Sequence, residues 1–315
     1  MWGVYKNGNA TCRINLENGT KIRETEDDEF NLEFPESIDL NIGNRCDGGC
    51  QYCYINASPN GQDAELLDVP FLDTLHPFTE VAINGNSIDH PQLIPFLNKM
   101  KNMDVICNIT VNQVHFESKE ELIGDLYKHN LIHGIGVSLR KPTNEFIKRI
   151  QKYPTAVIHT INGILDADDI DTMRNHNLKL LVLGYKNIGR GSEYFQENKE
   201  TVLINQQYLY NILPTFLEDN SFSLLSFDNL ALEQLDVQRC VSKEKWDEIY
   251  MGDDGTASMY VDLVSKRFGI SSLCKEDQMH PLFQNIETMF SVVQADRMLG
   301  KIPLDNGNIG AYNKN

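Results

Sequence analysis

A chain of 315 residues that is 41% apolar and 23% charged can bury a large core, either as one α/β domain with additions or as two domains. No apolar run approaches the ~20 residues that cross a bilayer, and the start Met1-Trp2-Gly3-Val4-Tyr5-Lys6 lacks the apolar core of a signal peptide, so the expectation is a cytoplasmic protein without a membrane partner. A formal net charge of −17 repels a phosphate backbone and argues against nonspecific nucleic-acid binding, while seven cysteines, an odd number with one tight triplet, argue against a disulfide framework.

Residues 1–35 read as a small β-meander. Val4-Tyr5, the run from Thr11 to Leu16 and the run from Thr20 to Arg23 are strand-like, and Asn7-Gly8-Asn9 and Glu17-Asn18-Gly19 are turn signals between them. Cys12 falls in a strand pattern and is expected to pack rather than react. From residue 36 the pattern becomes strand, loop, helix, repeated. Strands are expected from Ser37 to Ile42, Glu80 to Ile83, Asp104 to Asn112, Ile132 to Leu139, Ala156 to Ile161 and Leu178 to Tyr185. Helices fill the intervals: His90 to Met103, Lys119 to His129, Asn144 to Gln151 and Ala167 to Asn177. Such a succession predicts parallel strands with right-handed crossovers, and in parallel α/β folds functional groups gather at the C-terminal strand ends.

The first of those ends carries the densest chemistry. In Asn41-Ile42-Gly43-Asn44-Arg45-Cys46-Asp47-Gly48-Gly49-Cys50-Gln51-Tyr52-Cys53-Tyr54, three cysteines are spaced C-x3-C-x2-C on a loop that Gly48 and Gly49 allow to turn sharply. Converging thiolates are soft ligands for zinc, copper or an iron–sulfur cluster. A structural zinc knuckle with a distant fourth ligand is one reading of this spacing.

The triplet, with the aromatic Tyr52 before its last cysteine, resembles the signature of the radical S-adenosylmethionine (radical SAM) superfamily. The resemblance implies that Cys46, Cys50 and Cys53 hold three irons of a [4Fe–4S] cluster, the fourth iron being left to the amino and carboxylate groups of SAM. It also implies a partial (β/α)6 TIM-like barrel, matching the six expected strands, with a C-terminal α+β extension. Reductive cleavage of SAM to a 5′-deoxyadenosyl radical, which takes hydrogen from an unidentified substrate, is the implied activity. The electron donor would be a flavodoxin or ferredoxin. Beyond the triplet, the runs Pro35 to Leu40, Asn108 to Phe116 and Met251 to Gly255 are similar to uncharacterised radical SAM proteins of bacteria and their phages.

On that resemblance the strand ends acquire roles. Tyr52 is expected beside adenine. Asn84-Gly85-Asn86-Ser87 stands where the family carries a glycine-rich motif holding the SAM amino group, although Asn84 replaces the leading glycine and no glutamate follows; Gly85 and Asn86 are the candidates. Asn112, Ser138 and Arg140 close the third and fourth strands, where SAM ribose and carboxylate contacts are expected. Asn162 and Gly184 fall where backbone groups meet adenine. Read without the family, Asn84-Gly85 and Asn162-Gly163 are ordinary turns. His159, inside an apolar strand, reads as a satisfied core group, Lys186 as a solvated lysine, and Gly189-Arg190-Gly191 as a flexible loop.

Residues 192–219 are helical and polar, and β-like segments follow at Ser221 to Leu225, Ser258 to Val264 and Phe268 to Ser271. Met251-Gly252-Asp253-Asp254-Gly255 is a turn without the ligand pattern of a calcium loop. The expected divisions are a meander at 1–35, a radical SAM core at 36–191, and an extension at 192–315 that caps the barrel mouth. Isolated Cys240 and Cys274 speak against an auxiliary cluster. The alternatives are a non-enzymatic zinc-binding interaction protein and a degenerate SAM-binding member without turnover.

Overall fold

Period-two alternation decides the strands, and the computed structural model, which describes residues 1–301, follows it closely. β1 (Trp2–Asn7), β2 (Ala10–Asn15) and β3 (Lys21–Glu24) form an antiparallel three-stranded sheet, the expected meander. Next come β4 (Ser37–Asn41), β5 (Glu80–Asn84), α1 (Leu93–Asn102), β6 (Ile106–Asn112), α2 (Gln113–Ser118), α3 (Glu120–Lys128) and β7 (Gly134–Ser138). The repeat continues through α4 (Asn144–Ile150), β8 (Ala156–Ile161), α5 (Ala167–Met173), β9 (Lys179–Leu183) and the long α6 (Arg190–Asp219). β10 (Leu224–Phe227), α7 (Asn229–Leu235), α8 (Lys243–Ile249), β11 (Ser258–Asp262), β12 (Arg267–Gly269), β13 (His280–Pro281) and α9 (Ile286–Met298) complete it.

The second sheet has ten strands in the order β10-β9-β8-β7-β6-β5-β4-β11-β12-β13. Every pairing from β10 to β11 is parallel, and β12 and β13 are antiparallel additions at one edge. The chain beyond residue 191 therefore adds strands at both ends of the expected six: β10 beside β9, and β11 beside β4. Residues 302–315, the end of the expected extension, lie outside the described residues. The backbone pairing does not by itself show the expected partial barrel: among the described residues the sheet is open, with no ladder joining β10 to β11. Side chains link its ends instead. Lys186 Nζ, after β9, donates to Ser272 Oγ, after β12, at 2.8 Å; Asn229 Nδ2, opening α7, donates to Asp254 Oδ1, ahead of β11, at 2.7 Å.

The two faces of the parallel strands do different jobs. Ile38, Leu40, Val81, Ile83, Ile158 and Val182 are buried in one core with Phe96, Ile123, Phe146 and Ile170 from the helices. Each such aliphatic side chain contributes about 1.5–3 kcal/mol by leaving water. The alternate residues line a cavity of about 710 Å³, among them Asp39, Ala82, Asn108, Ser138 and His159. Side-chain caps start the helices at the strand ends: Asn112 for α2, Thr143 for α4, Asp166 for α5 and Asp228 for α7 each accept from a backbone N–H.

The meander docks at the opposite, N-terminal ends of the strands. Arg23 grips the buried Glu36 with Nε and Nη2 at 2.8 and 3.0 Å, and Lys21 Nζ reaches Glu80 Oε2 at 2.7 Å. Cys12 is buried as expected, its thiol donating to Glu36 Oε1 at 3.2 Å.

Candidate active site at the strand C-terminal ends

The loop after β4 is folded onto itself before it presents any sulfur. Gly43 bridges Asp63 and Arg45 bridges Ser58, while Arg45 Nε donates to Asp63 Oδ2 at 2.7 Å. Gly49 takes the left-handed backbone (φ +63°) that the turn between Cys46 and Cys50 requires. Cys46, Cys50 and Cys53, all free thiols, line the cavity with Gly85, Asn86, Asn112 and Ser138. Gly85 is held at φ +88° so close to the start of the loop that a Cβ would stand 2.6 Å from the Gly43 carbonyl oxygen.

Distant residues pin this loop. Asn112 Oδ1 caps α2 through Val114 N–H, leaving its Nδ2 to donate to Cys50 Sγ at 2.9 Å. Gly48 N–H donates to Cys46 Sγ at 3.3 Å, and the buried His115 meets Asp47 Oδ1 through Nε2 at 2.7 Å. Asp47 is accordingly held below the ordinary carboxylate range, first by that hydrogen bond. Burial raises the Cys46 and Cys50 thiols; the Gly48 N–H on the first, and Arg140 with Asn112 on the second, pull the other way.

The largest departure from expectation is Gly189-Arg190-Gly191. It is no flexible loop. It opens α6 and clamps the cysteine loop: Arg190 Nε donates to Cys50 O at 3.1 Å, Nη1 to Ala57 O at 2.9 Å, and the Arg190 N–H to Asn56 Oδ1 at 2.8 Å. A Cβ on Gly189 would lie 2.4 Å from Tyr54 O, and one on Gly191 would lie 2.4 Å from Lys186 O, so both glycines are required by close approach. A glycine pair at a helix start was the available signal; which backbone it would touch was not in the sequence.

Other expected contacts divide. Arg140 is exposed and lines a neighbouring depression of about 560 Å³ together with Cys46, Asn86, His115 and Lys119. Tyr52 packs edge-on against Tyr194, with ring centroids 5.8 Å apart. Tyr52, Asn162 and Gly184 do not line either cavity. Asn162 is fully buried, its Nδ2 donating to Gln234 Oε1 at 3.1 Å, and the Gly184 N–H donates to Asp228 Oδ1 at 2.8 Å.

Two residues read as bland are in the cavity. His159 sits in register with Ser138 and Leu181, its ring over Gly136, where a Cβ would stand 2.3 Å from His159 Cε1. Its ring has no hydrogen-bond partner among the described residues. Burial pulls its pKa down to about 4, so the imidazole facing the cavity is neutral. Lys186 is no solvated lysine. Its ammonium lies 4.0 Å from the Tyr54 ring centroid and near Asp39, Asp228 and Asp254. Burial opposes its charge, yet those neighbours hold its pKa above the ordinary lysine value.

A loop of three thiols and a ring of polar strand ends thus share one cavity on an α/β sheet. The fold is similar to that of SuiB. The crystal structure of Streptococcus suis SuiB bound to S-adenosylmethionine superposes with a TM-score of 0.57 at 12% identity, over 95% of this chain and 88% of SuiB. At that identity the likeness to SuiB is one of fold. No protein-family model matches the sequence, and no curated protein does. No helix among the described residues is long and apolar enough to cross a membrane.

Proposed function

We propose that this protein is a radical SAM enzyme whose sheet acts as a partial barrel around the reaction chamber. The observation that carries the reading is the opening of Cys46, Cys50 and Cys53, from a single loop, into the same cavity as the polar ends of β5, β6 and β7. The fold shared with SAM-bound SuiB supports it, as do the side-chain links between the two ends of the sheet.

The donor set fits a [4Fe–4S] cluster better than one zinc ion on the triplet. Tetrahedral zinc, with Zn–S of about 2.3 Å, needs its sulfurs within about 4 Å of one another. Among the described residues, the set of three candidate ligand atoms mutually within 4.8 Å is Cys46, Asp47 and His115, without Cys50 or Cys53. A cluster spreads its thiolates over different irons. SAM also finds a complementary group: Asn86 Oδ1 is buried without a hydrogen-bond partner while its Nδ2 is taken by Asp89. That acceptor suits an ammonium.

With cluster and SAM bound, the chemistry supplied is one-electron cleavage of a carbon–sulfur bond to give a carbon radical. The chain's own residues bind, orient and shield. Asn112 and the Gly48 amide donate to sulfur and so stabilise thiolate charge. Arg190 fixes the loop backbone. Asn86 Oδ1 would accept from the SAM amine, Ser138 lies within the same chamber, and Arg140 at the rim would suit the carboxylate. His159, Leu181 and Leu183 line the chamber and would shield the reacting atoms from water. The reductant is a flavodoxin or ferredoxin in this reading.

Anaerobic reconstitution with iron and sulfide, then SAM and dithionite, tests it. The expected result is about four irons per chain and 5′-deoxyadenosine, both lost in Cys50→Ala. A second reading rests on the close Cys46, Asp47 and His115 set: a single divalent metal in an interaction protein. One zinc per chain, abolished by His115→Ala and unaffected by Cys53→Ala, would establish that instead.

A further inference from the structure

The cavity has a wall that the cofactor reading leaves unused. Asp39 on β4 and Tyr260 on β11 are register partners on adjacent parallel strands, so their side chains leave the sheet on the same face, side by side. Asp228 arrives from the other end of the sheet. Lys186 stands near both, its Nζ on Ser272 Oγ, with Asp254 behind the wall holding Asn229. One lysine therefore faces three carboxylates. The Asp39 carboxylate makes no hydrogen bond or ion pair with a described residue. Tyr260 is 6% exposed, and its hydroxyl has no described partner although the residue lines the cavity.

An unpartnered carboxylate open to the cavity, beside an unpartnered phenol and in a wall with surplus negative charge, is placed to receive a cation. The Asp39 side chain is exposed, and it lines the cavity. Desolvation by the surrounding protein pushes its pKa up to about 6, and raises Asp228 and Asp254 as well; Lys186 offsets this only in part. An organic cation fits this wall better than a metal ion held by all three carboxylates. The three carboxylates are not mutually within 4.8 Å, too spread to ligate one cation at about 2.0–2.6 Å. An organic cation with several N–H donors spans such a gap.

We propose that Asp39, Tyr260 and Asp228 receive a protonated amine of the substrate, which makes the substrate a basic, amine-bearing molecule. The inference rests on reading the cavity as the reaction chamber. The ammonium donates to the Asp39 carboxylate and the Tyr260 oxygen, while the aliphatic part of the substrate runs toward His159 and the cysteine loop.

The probe is n-pentylamine, cationic at neutral pH, against n-pentanol as its neutral counterpart, titrated calorimetrically into the reconstituted full chain. Pentylamine should bind about tenfold tighter than pentanol or better, and Asp39→Asn should remove that preference. Asn is isosteric with an Asp that holds no partner, and one charge in a net −17 hardly alters nonspecific cation attraction. Tyr260→Phe should weaken pentylamine and leave pentanol unchanged. Equal affinity for the two probes overturns the proposal, as does an amine preference that survives both substitutions. An equal loss of SAM and pentylamine affinity in Asp39→Asn also overturns it, because the wall would then serve the SAM ammonium. So does displacement of pentylamine by stoichiometric magnesium. Amine binding that follows Asp39 in a protein unable to bind SAM keeps this inference and sinks the radical SAM reading.

Discussion

The cavity's two walls are built in opposite ways. On one side, three thiols come from residues 46–53 of a single loop, and remote residues only brace them: Asn112 and Gly48 at sulfur, His115 at Asp47, Arg190 at the backbone. On the other side, Asp39, Lys186, Asp228, Tyr260 and Ser272 come from five separate places in the chain and share no local element. The difference fits what each wall is proposed to hold. A ligand with rigid coordination geometry needs donors whose spacing is fixed by a short backbone path. A charge-complementary pocket needs only side chains that converge from strand ends.

Four substitutions test whether the walls are independent. The largest effect is expected for Cys53→Ala, which should lose the bound iron and all 5′-deoxyadenosine formation, whereas Asp39→Asn should keep its full iron content; iron analysis of both proteins decides. Iron loss in Asp39→Asn would mean that the walls fold as one unit.

Arg190→Ala comes next. It removes two side-chain hydrogen bonds from a charged donor to the cysteine loop, at a cost of about 3 kcal/mol in urea unfolding. Iron incorporation should fall with it. Unchanged iron at that stability cost would show that the loop holds its shape without the clamp.

Asn112→Asp separates two jobs of one residue. An aspartate still caps α2, so stability should change by less than about 1 kcal/mol. It cannot donate to Cys50 and adds negative charge there, so the cluster should become harder to reduce; an EPR-monitored redox titration reads this shift. A potential equal to that of the unsubstituted protein would remove Asn112 from the site.

The smallest effect is the pH response of Asp39. Its folded pKa, about 6, lies above the ordinary aspartate value of 3.8. Between those values the folded state binds more protons than the unfolded state, so stability attributable to this group falls as pH rises from about 4 to about 6 and stays lower above that. Asp39→Asn should therefore melt higher than the parent at neutral pH and match it below about pH 4. A parallel offset across the whole range would point to a packing change instead.

What the sequence by itself determined is local. The meander, the six core strands, most helices and the cysteine loop were legible because each depends on neighbours a few residues away: alternation, turn residues, caps and ligand spacing. Arg190 was misread because a Gly-Arg-Gly run looks the same whether it is free or pressed against another backbone. Lys186 and His159 were misread because burial of one side of a strand does not say whether the other side faces packed core or a chamber. Only tertiary structure decided that β10 and β11 extend the sheet at both ends, bringing Asp228 and Asp39 to one lysine. The physical reason is range: alternation and ligand spacing act over a few residues of backbone, whereas the charge balance of the cavity is set by residues 39, 186 and 228, which meet only in the folded chain.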